Sequence, residues 1–174
     1  MRFRFSVGEL REEMDAWMPL ELEGDFDRIE LGRSDLVFID KVKFKGHAVN
    51  SGSRIIVSGT ARGKAMAVCD RCLEDFPTAL DVPILETYHR VDEAPAVEDE
   101  DDRLYGVNDV IDLTEALQQG FILHIPITLL CSEGCRGLCP KCGKNLNEGA
   151  CECAPEDDWG MAHLLRNLEH DHTK

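Results

Sequence analysis

The alternation of apolar and polar residues marks several strands early in the chain. Residues 2–7 read Arg-Phe-Arg-Phe-Ser-Val, the period-2 pattern of a half-buried strand. Residues 35–49 alternate again, with Leu36, Phe38, Val42 and Phe44 set against Lys41, Lys43 and Lys45. Residues 53–68 predict one or two strands through Ile55, Val57, Ala65 and Ala67, punctuated by Gly52, Gly59 and Gly63. Residues 80–91 predict another. Glu9–Met18 has mixed helical character, ended by Pro19. Short strands joined by Gly- and Ser-containing turns imply a largely antiparallel sheet or a small barrel.

The period then changes. Asp112-Leu-Thr-Glu115 has the form of a capping box. Leu113, Ala116, Leu117 and Phe121 follow at helical spacing, and Pro126 stops the helix. Leu123 and Ile125 are expected to pack on the sheet. A last helix is predicted over Trp159–Leu168, with Met161, Leu164, Leu165 and Leu168 on one face. The fold class expected is therefore α+β: mainly antiparallel sheet, a few helices and a C-terminal Cys-rich segment. The expected organisation is a β-rich domain over 1–91 and an acidic loop over 92–107. A helix and strand packing on the sheet follow over 108–130. A Cys-rich zinc segment with the C-terminal helix occupies 131–174.

Charge changes the picture. The 174 residues carry 34 acids and 19 bases, a net of −15. That excludes a general coat for nucleic acid, which needs a basic excess. The imbalance is uneven. Residues 1–90 hold 16 acids and 13 bases, whereas residues 91–174 hold 18 acids and 6 bases. Asp92, Glu93, Glu98, Asp99, Glu100, Asp101 and Asp102 supply much of the second figure and read as a solvated loop. The longest apolar run, Phe121–Leu130, is too short to cross a bilayer and is broken by His124 and Pro126. The N-terminus lacks the apolar stretch of a signal peptide. The expectation is a cytoplasmic protein with no membrane partner.

Eight cysteines in a reducing compartment point to metal rather than disulfides. Cys139-Pro-Lys-Cys142-Gly143 supplies two thiolates from one tight turn, and Gly143 permits the positive φ that such a turn requires. Cys151 and Cys153 close a compact C-x2-C-x8-C-x-C set suited to tetrahedral zinc. Cys69, Cys72, Cys131 and Cys135 form a second candidate set, which would staple the sheet to the C-terminal segment. Spacing alone leaves other partitions open. A four-thiolate zinc has no open coordination position, so its role is structural. A redox reading of Cys69-Asp-Arg-Cys72 expects a helix after it, and Leu73-Glu-Asp-Phe-Pro77 reads as a turn instead. No phosphate loop, serine nucleophile motif or metalloprotease motif is present, so no enzyme and no small-molecule substrate are expected.

Lys41, Lys43 and Lys45 share one face of their predicted strand, and Arg62 and Lys64 repeat the spacing. If the strands pair, the five form a basic patch. It is either a solvated outer face whose lysines guard an edge or a contact for RNA phosphates.

Several blocks together resemble the YceD family, the large ribosomal RNA subunit accumulation proteins. They are Cys69-Asp-Arg-Cys72-Leu-Glu74, Ile111-Asp-Leu-Thr-Glu115, Ile125-Pro126, Leu130–Asn147 with its Gly-Leu-Cys-Pro-Lys-Cys-Gly-Lys-Asn-Leu-Asn run, and Cys151-Glu-Cys153. The resemblance covers about residues 50–168 and is strongest over 111–153. It implies a small non-catalytic factor in synthesis, processing or stability of large-subunit (23S) ribosomal RNA. The implied partners are ribosomal RNA or ribosome-assembly proteins. The chain departs from the family in having Asp157-Asp-Trp-Gly160 where Asp-Pro-Arg is common. Two other readings stay open: a zinc-stapled acidic adaptor for a basic protein, and a thiol redox sensor or chaperone.

Overall fold

A computed structural model describes residues 3–26, 28–32, 35–92 and 103–153. Within them the chain runs β1 (Arg4–Ser6), a 3-10 turn (Glu9–Glu12), β2 (Trp17–Gly24), β3 (Arg28–Glu30), β4 (Asp35–Phe38) and β5 (Val42–Asn50). It continues through β6 (Ile55–Val68), β7 (Asp75–Arg90), β8 (Arg103–Tyr105), β9 (Val110–Asp112) and α1 (Thr114–His124). Seven strands form one sheet, and β1 with β9 form a second, two-stranded one. The large sheet is antiparallel except where β8 joins β7.

The long β6 is the spine. Its whole length pairs with β7, from Ile55 opposite Tyr88 to Val68 opposite Asp75. Its other edge takes β5 over residues 55–62 and β4 at Ala65 and Met66. Alternation explains the burial: Ile55, Val57, Ala61, Ala65 and Ala67 face inward, while Arg62 and Lys64 face solvent. The inward residues of β6 shrink to alanine and glycine where rings cross them. A Cβ on Gly63 would stand 2.7 Å from the Phe38 ring. Gly46 and Gly59 are cross-strand partners beneath the Phe44 ring.

The second layer is β1, β9 and α1. Phe3, Val7, Ile111, Leu113, Leu117 and Phe121 are fully buried against the sheet. Phe3, Phe26, Phe38 and Phe121 form a ring cluster with centroids 5.1–6.0 Å apart, tilted or edge-on as their quadrupoles prefer.

Several expectations are corrected. The helical character expected over Glu9–Met18 reduces to the 3-10 turn, because buried Asn50 holds its carbonyls. The Asn50 side-chain amide lies 3.1, 3.3 and 2.9 Å from the oxygens of Leu10, Arg11 and Glu13. Pro19 does not end a helix; it sits in β2, an edge strand, where its missing N–H faces away from β5. Pro77 and Pro83 do the same on the outer edge of β7, so prolines blunt both edges. The expected capping box does not form: the N-cap position falls on Leu113, which has no side-chain cap bond. Asp112 Oδ1 accepts the Thr114 N–H at 3.0 Å, but Glu115 turns toward Arg103 and Gln119. Arg103 also binds Glu86 at 2.7 Å, so this cation draws the carboxylate away. Ile125 is extended before Pro126, as expected, and packs on the core. Leu123 does not pack on the sheet and is 79% exposed. Of the acidic loop expected over 92–107, residues 93–102 lie outside the described residues, and β8 occupies Arg103–Tyr105. The expected helix over Trp159–Leu168 lies outside the described residues.

The crossing of β5 and β6 yields a stability prediction. A Cβ on Gly59 would lie 2.5 Å from the Lys45 carbonyl oxygen and 2.6 Å from the Gly46 Cα, both backbone atoms. Gly59→Ala should therefore destabilise the protein by about 1–3 kcal/mol, seen as a lower midpoint in urea with an unchanged slope.

Candidate metal centres

Eight cysteines are spread over 85 positions of sequence, and the structure gathers them into two groups of four. Cys69, Cys72, Cys131 and Cys135 have sulfurs within 4.8 Å of one another, and so do Cys139, Cys142, Cys151 and Cys153. None is in a disulfide.

Each cluster is built on the same backbone turn. In the first, the Cys69 N–H donates to the Glu74 carbonyl and the Leu73 N–H donates to the Cys69 carbonyl, both at 2.9 Å. In the second, the Cys139 N–H donates to the Lys144 carbonyl at 2.9 Å, and the Gly143 N–H to the Cys139 carbonyl at 2.8 Å. The fifth residue of each turn is left-handed, with φ 60° at Leu73 and 72° at Gly143. The turn reverses the chain within four residues and aims both thiols to one side.

The inner cluster closes the β6–β7 turn against the segment after α1. Asp70 and Leu129 exchange two bonds: the Asp70 N–H to the Leu129 carbonyl at 2.8 Å, and the Leu129 N–H to Asp70 Oδ2 at 2.6 Å. Arg71 Nη1 donates to the Cys135 carbonyl at 3.0 Å, and the Leu138 N–H to the Arg71 carbonyl at 3.2 Å. Gly137 passes so close to that carbonyl that a Cβ would stand 3.0 Å from it, and its φ is 72°. Cys69, Cys72 and Cys135 are buried with Phe76, Leu130 and Leu138 packed around them.

The sulfur spacing fits a tetrahedral ion. Cys69 and Cys135 lie 3.8 Å apart, and Cys72 and Cys131 lie 3.7 Å apart. A tetrahedron with Zn–S arms of about 2.3 Å has edges of about 3.8 Å. N–H groups point at the sulfurs, from Cys131 to Cys69 at 3.4 Å and from the Asn147 amide to Cys135 at 3.3 Å. Such donors favour the thiolate.

The thiols divide accordingly. Burial pushes the Cys69 thiol up, but the N–H groups of Cys131, Cys72 and Arg71 outweigh it and bring it to about 6. The N–H groups of Cys142 and Lys141 bring Cys139 to about 6 as well. The Cys142 thiol and burial push Cys153 up to about 12. At Cys72 the Glu74 N–H acts downward, but burial and the three neighbouring thiols prevail, and it too reaches about 12. Each cluster thus pairs one thiol brought down to about 6 with one pushed up to about 12.

Asn147 is a contributor that the spacing of cysteines does not reveal. It sits beyond the second turn yet donates to a sulfur of the first cluster. Its Oδ1 accepts the Arg136 N–H at 2.8 Å, and Asn145 Oδ1 accepts its amide at 2.9 Å. The Gly-x-Asn-Leu-Asn run after Cys142 is the only sequence signal for it.

The basic residues are placed differently from the cysteines. Strands β5 and β6 do pair, with Lys43 opposite Arg62. However, β5 lies inside the sheet beneath β2, so its lysines guard no edge. Acids from the flanking strands reach them. Glu23 binds Lys41 at 3.2 Å and Lys43 at 3.6 Å, Glu21 binds Lys45 at 2.8 Å, and Asp81 binds Arg62 at 2.9 Å. Lys45 and Lys41 hold the Glu21 and Glu23 carboxyls below the usual carboxylate range. Among the described residues Lys64 has no ion pair. The face is a charge-alternating ladder, Glu23–Lys43–Arg62–Asp81 across four strands.

Fold and clusters together define an α+β protein with a C-terminal segment carried by two four-cysteine groups, each able to hold a metal ion. Among the described residues no helix is long and apolar enough to cross a membrane. The family of the Large ribosomal RNA subunit accumulation protein YceD matches residues 57–165, a span that contains both clusters. The chain belongs to the YceD family.

An uncharacterised Bacillus subtilis protein, YlbN, is 30% identical over 115 residues, 64% of each chain. A Mycobacterium tuberculosis protein is 31% identical over 90 residues, 51% of this chain and 44% of its own length. The chloroplastic large ribosomal RNA subunit accumulation protein YCED homolog 1 of Zea mays is 27% identical over 158 residues, 74% of this chain and 52% of that one. The matches thus span about half the length of these relatives, or somewhat more. No solved structure matches the chain.

The paired turns make a local prediction. Leu73 is 65% exposed and adopts φ 60° where the second turn has glycine. Left-handed backbone costs a non-glycine residue about 1–2 kcal/mol, partly offset by the entropy glycine loses on folding. Leu73→Gly should raise stability by up to about 1 kcal/mol, read as a higher thermal midpoint at unchanged metal content.

Proposed function

We propose that this chain is a non-enzymatic cytoplasmic factor for accumulation of large-subunit ribosomal RNA, acting in its synthesis, processing or stability. Family membership carries this reading: the family's name describes an effect on ribosomal RNA and names no reaction. Zinc is the ion proposed for each cluster, with Cys139, Cys142, Cys151 and Cys153 as one ligand set. Cys69, Cys72, Cys131 and Cys135 are the other. When bound, zinc supplies a closed four-thiolate cross-link with no open position. The inner set would lock residues 129–138 to the β6–β7 turn, and the outer set would close the loop that carries Asn147.

Lys41, Lys43, Lys45, Arg62 and Lys64 are the proposed contact for RNA phosphates. The acids on Glu21, Glu23 and Asp81 must yield to the phosphates there. That requirement, with a net charge of −15, favours a second reading in which an acidic surface engages a basic ribosome-assembly protein. The two readings separate on salt and on mutation. Direct binding weakens steeply with salt. The Lys41→Ala, Lys43→Ala, Lys45→Ala variant should lower RNA affinity and reduce the salt slope by up to about three. Unchanged RNA affinity, with capture of a basic protein after nuclease treatment, supports the adaptor instead. In either case depletion of the protein should lower mature large-subunit RNA. Normal levels in a clean deletion refute the proposed role.

Metal content tests the clusters. Protein purified without chelator should hold two zinc ions, and its cysteines should react far more slowly with an alkylating agent than those of the unfolded chain. Iron, or no metal, overturns the assignment. Thiols must lose protons to bind zinc, so affinity falls as pH is lowered. The fall should steepen below about pH 6, where Cys69 and Cys139 also protonate. Zinc retention measured across pH 5–8 against a competing chelator reads this slope.

A further inference from the structure

The two clusters share one turn geometry but differ in surroundings. Three of the inner four cysteines are buried, under Phe76, Leu130 and Leu138. In the outer cluster only Cys139 is buried; Cys142 is exposed, and Cys151 and Cys153 are half-buried. Their anchorage differs as well. Both halves of the inner set are tied together by hydrogen bonds that need no metal, at Asp70–Leu129, Arg71–Cys135 and Arg71–Leu138. The Cys151–Cys153 segment of the outer set is held to its turn by the Lys144 ammonium on the Ala150 carbonyl at 3.0 Å.

We propose that the outer cluster is a site of oxidative modification, at which a peroxide joins Cys142 to Cys153 and releases the outer metal while the inner one stays. This rests on the zinc occupancy proposed above. The exposed Cys142 sulfur attacks one peroxide oxygen; the S–O bond forms, the O–O bond breaks, and the departing hydroxide takes a proton to become water. The Cys153 sulfur lies within 4.8 Å and attacks the sulfenic sulfur. The S–S bond forms and the S–O bond breaks, and a second hydroxide leaves as water. The two cysteines lose two electrons and the peroxide gains them. Cys139 and Cys151 alone are too few to hold a structural zinc.

Exposed Cys131 does not make the inner cluster equivalent. If its metal bonds open, the hydrogen bonds at Asp70 and Arg71 keep the sulfurs in place for rebinding. At the outer cluster the new disulfide replaces the metal as the cross-link across residues 143–152. The Leu146 N–H on the Gly137 carbonyl and the Asn145 amide on Glu74 hold the base of that loop without metal. Asn147 therefore keeps its bonds to Cys135 and Arg136. Oxidation at the outer site removes its metal and leaves the inner one in place.

The experiment uses the full chain with its metal measured beforehand. It is titrated with hydrogen peroxide while a colorimetric chelator reports released zinc and alkylation mass spectrometry maps the cysteines. One zinc should leave per chain, with a Cys142–Cys153 disulfide. Cys69, Cys72, Cys131 and Cys135 should remain metal-bound and unoxidised. Amide exchange at Leu138, bonded to Arg71, and at Leu146, bonded to Gly137, should change little. Cys142→Ser should hold one zinc, at the inner site, and release none to peroxide over the same range. Release of both metals together, earlier oxidation of the inner cysteines, or a large rise in exchange at Leu138 overturns the proposal. Absence of two zincs at the outset refutes the zinc reading itself, a distinct result.

Discussion

Four sulfurs brought within 4.8 Å of one another at the tip of the β6–β7 hairpin are the constraint on which the C-terminal third depends. Four thiolates at that spacing repel one another, so the group either keeps most of its protons or takes up a cation. The fold prepares for the second outcome by pointing N–H groups of Cys131, Cys72 and Arg71 at Cys69. Those of Cys72 and Arg71 belong to the turn that receives residues 129–138, and that of Cys131 to the segment received. Ligand geometry and attachment of the C-terminal segment are therefore one structural fact.

The remainder of the molecule supplies a rigid base for that hairpin. The β6–β7 ladder runs without interruption from the core to the turn. It is clamped on its inner face by α1, β1 and β9, and the outer edge of β7 carries Pro77 and Pro83 on the stretch that β8 does not pair. On the outer face the acids of β2 and β7 neutralise the lysines of β5 and the arginine of β6. That pairing matters for function. A face with interleaved signs does not attract a polyanion over a distance as a basic stripe does; an RNA or protein that binds there must replace existing ion pairs.

Much of this was legible from periodicity. Strands β5, β6 and β7 and helix α1 follow from alternation and helical spacing, because each buries one face against one core. Strand β2 was not legible, since Pro19 reads as a helix stop and only an edge position makes it acceptable in a sheet. Leu123 was misplaced for a related reason: apolar spacing names a face of a helix, but not how far along the helix the core extends. The cysteine turns were visible from C-x2-C spacing, and the glycine after Cys142 marked the left-handed position. Leu73 occupies that position in the other turn with no sequence sign of it.

The sequence alone determined the number of thiols, their local pairing in tight turns, the stretch of chain that resembles the YceD family and the uneven distribution of charge. These are local or additive properties. Tertiary structure decided which C-x2-C turn faces which distant cysteine pair, that Asn147 serves the cluster it does not adjoin, and that the lysines are neutralised. Those depend on strand register and chain crossing, which bring together residues some 60 positions apart, as with Cys69 and Cys135. The −15 total belongs to the chain; the place where a cation of that chain meets a carboxylate belongs to the sheet.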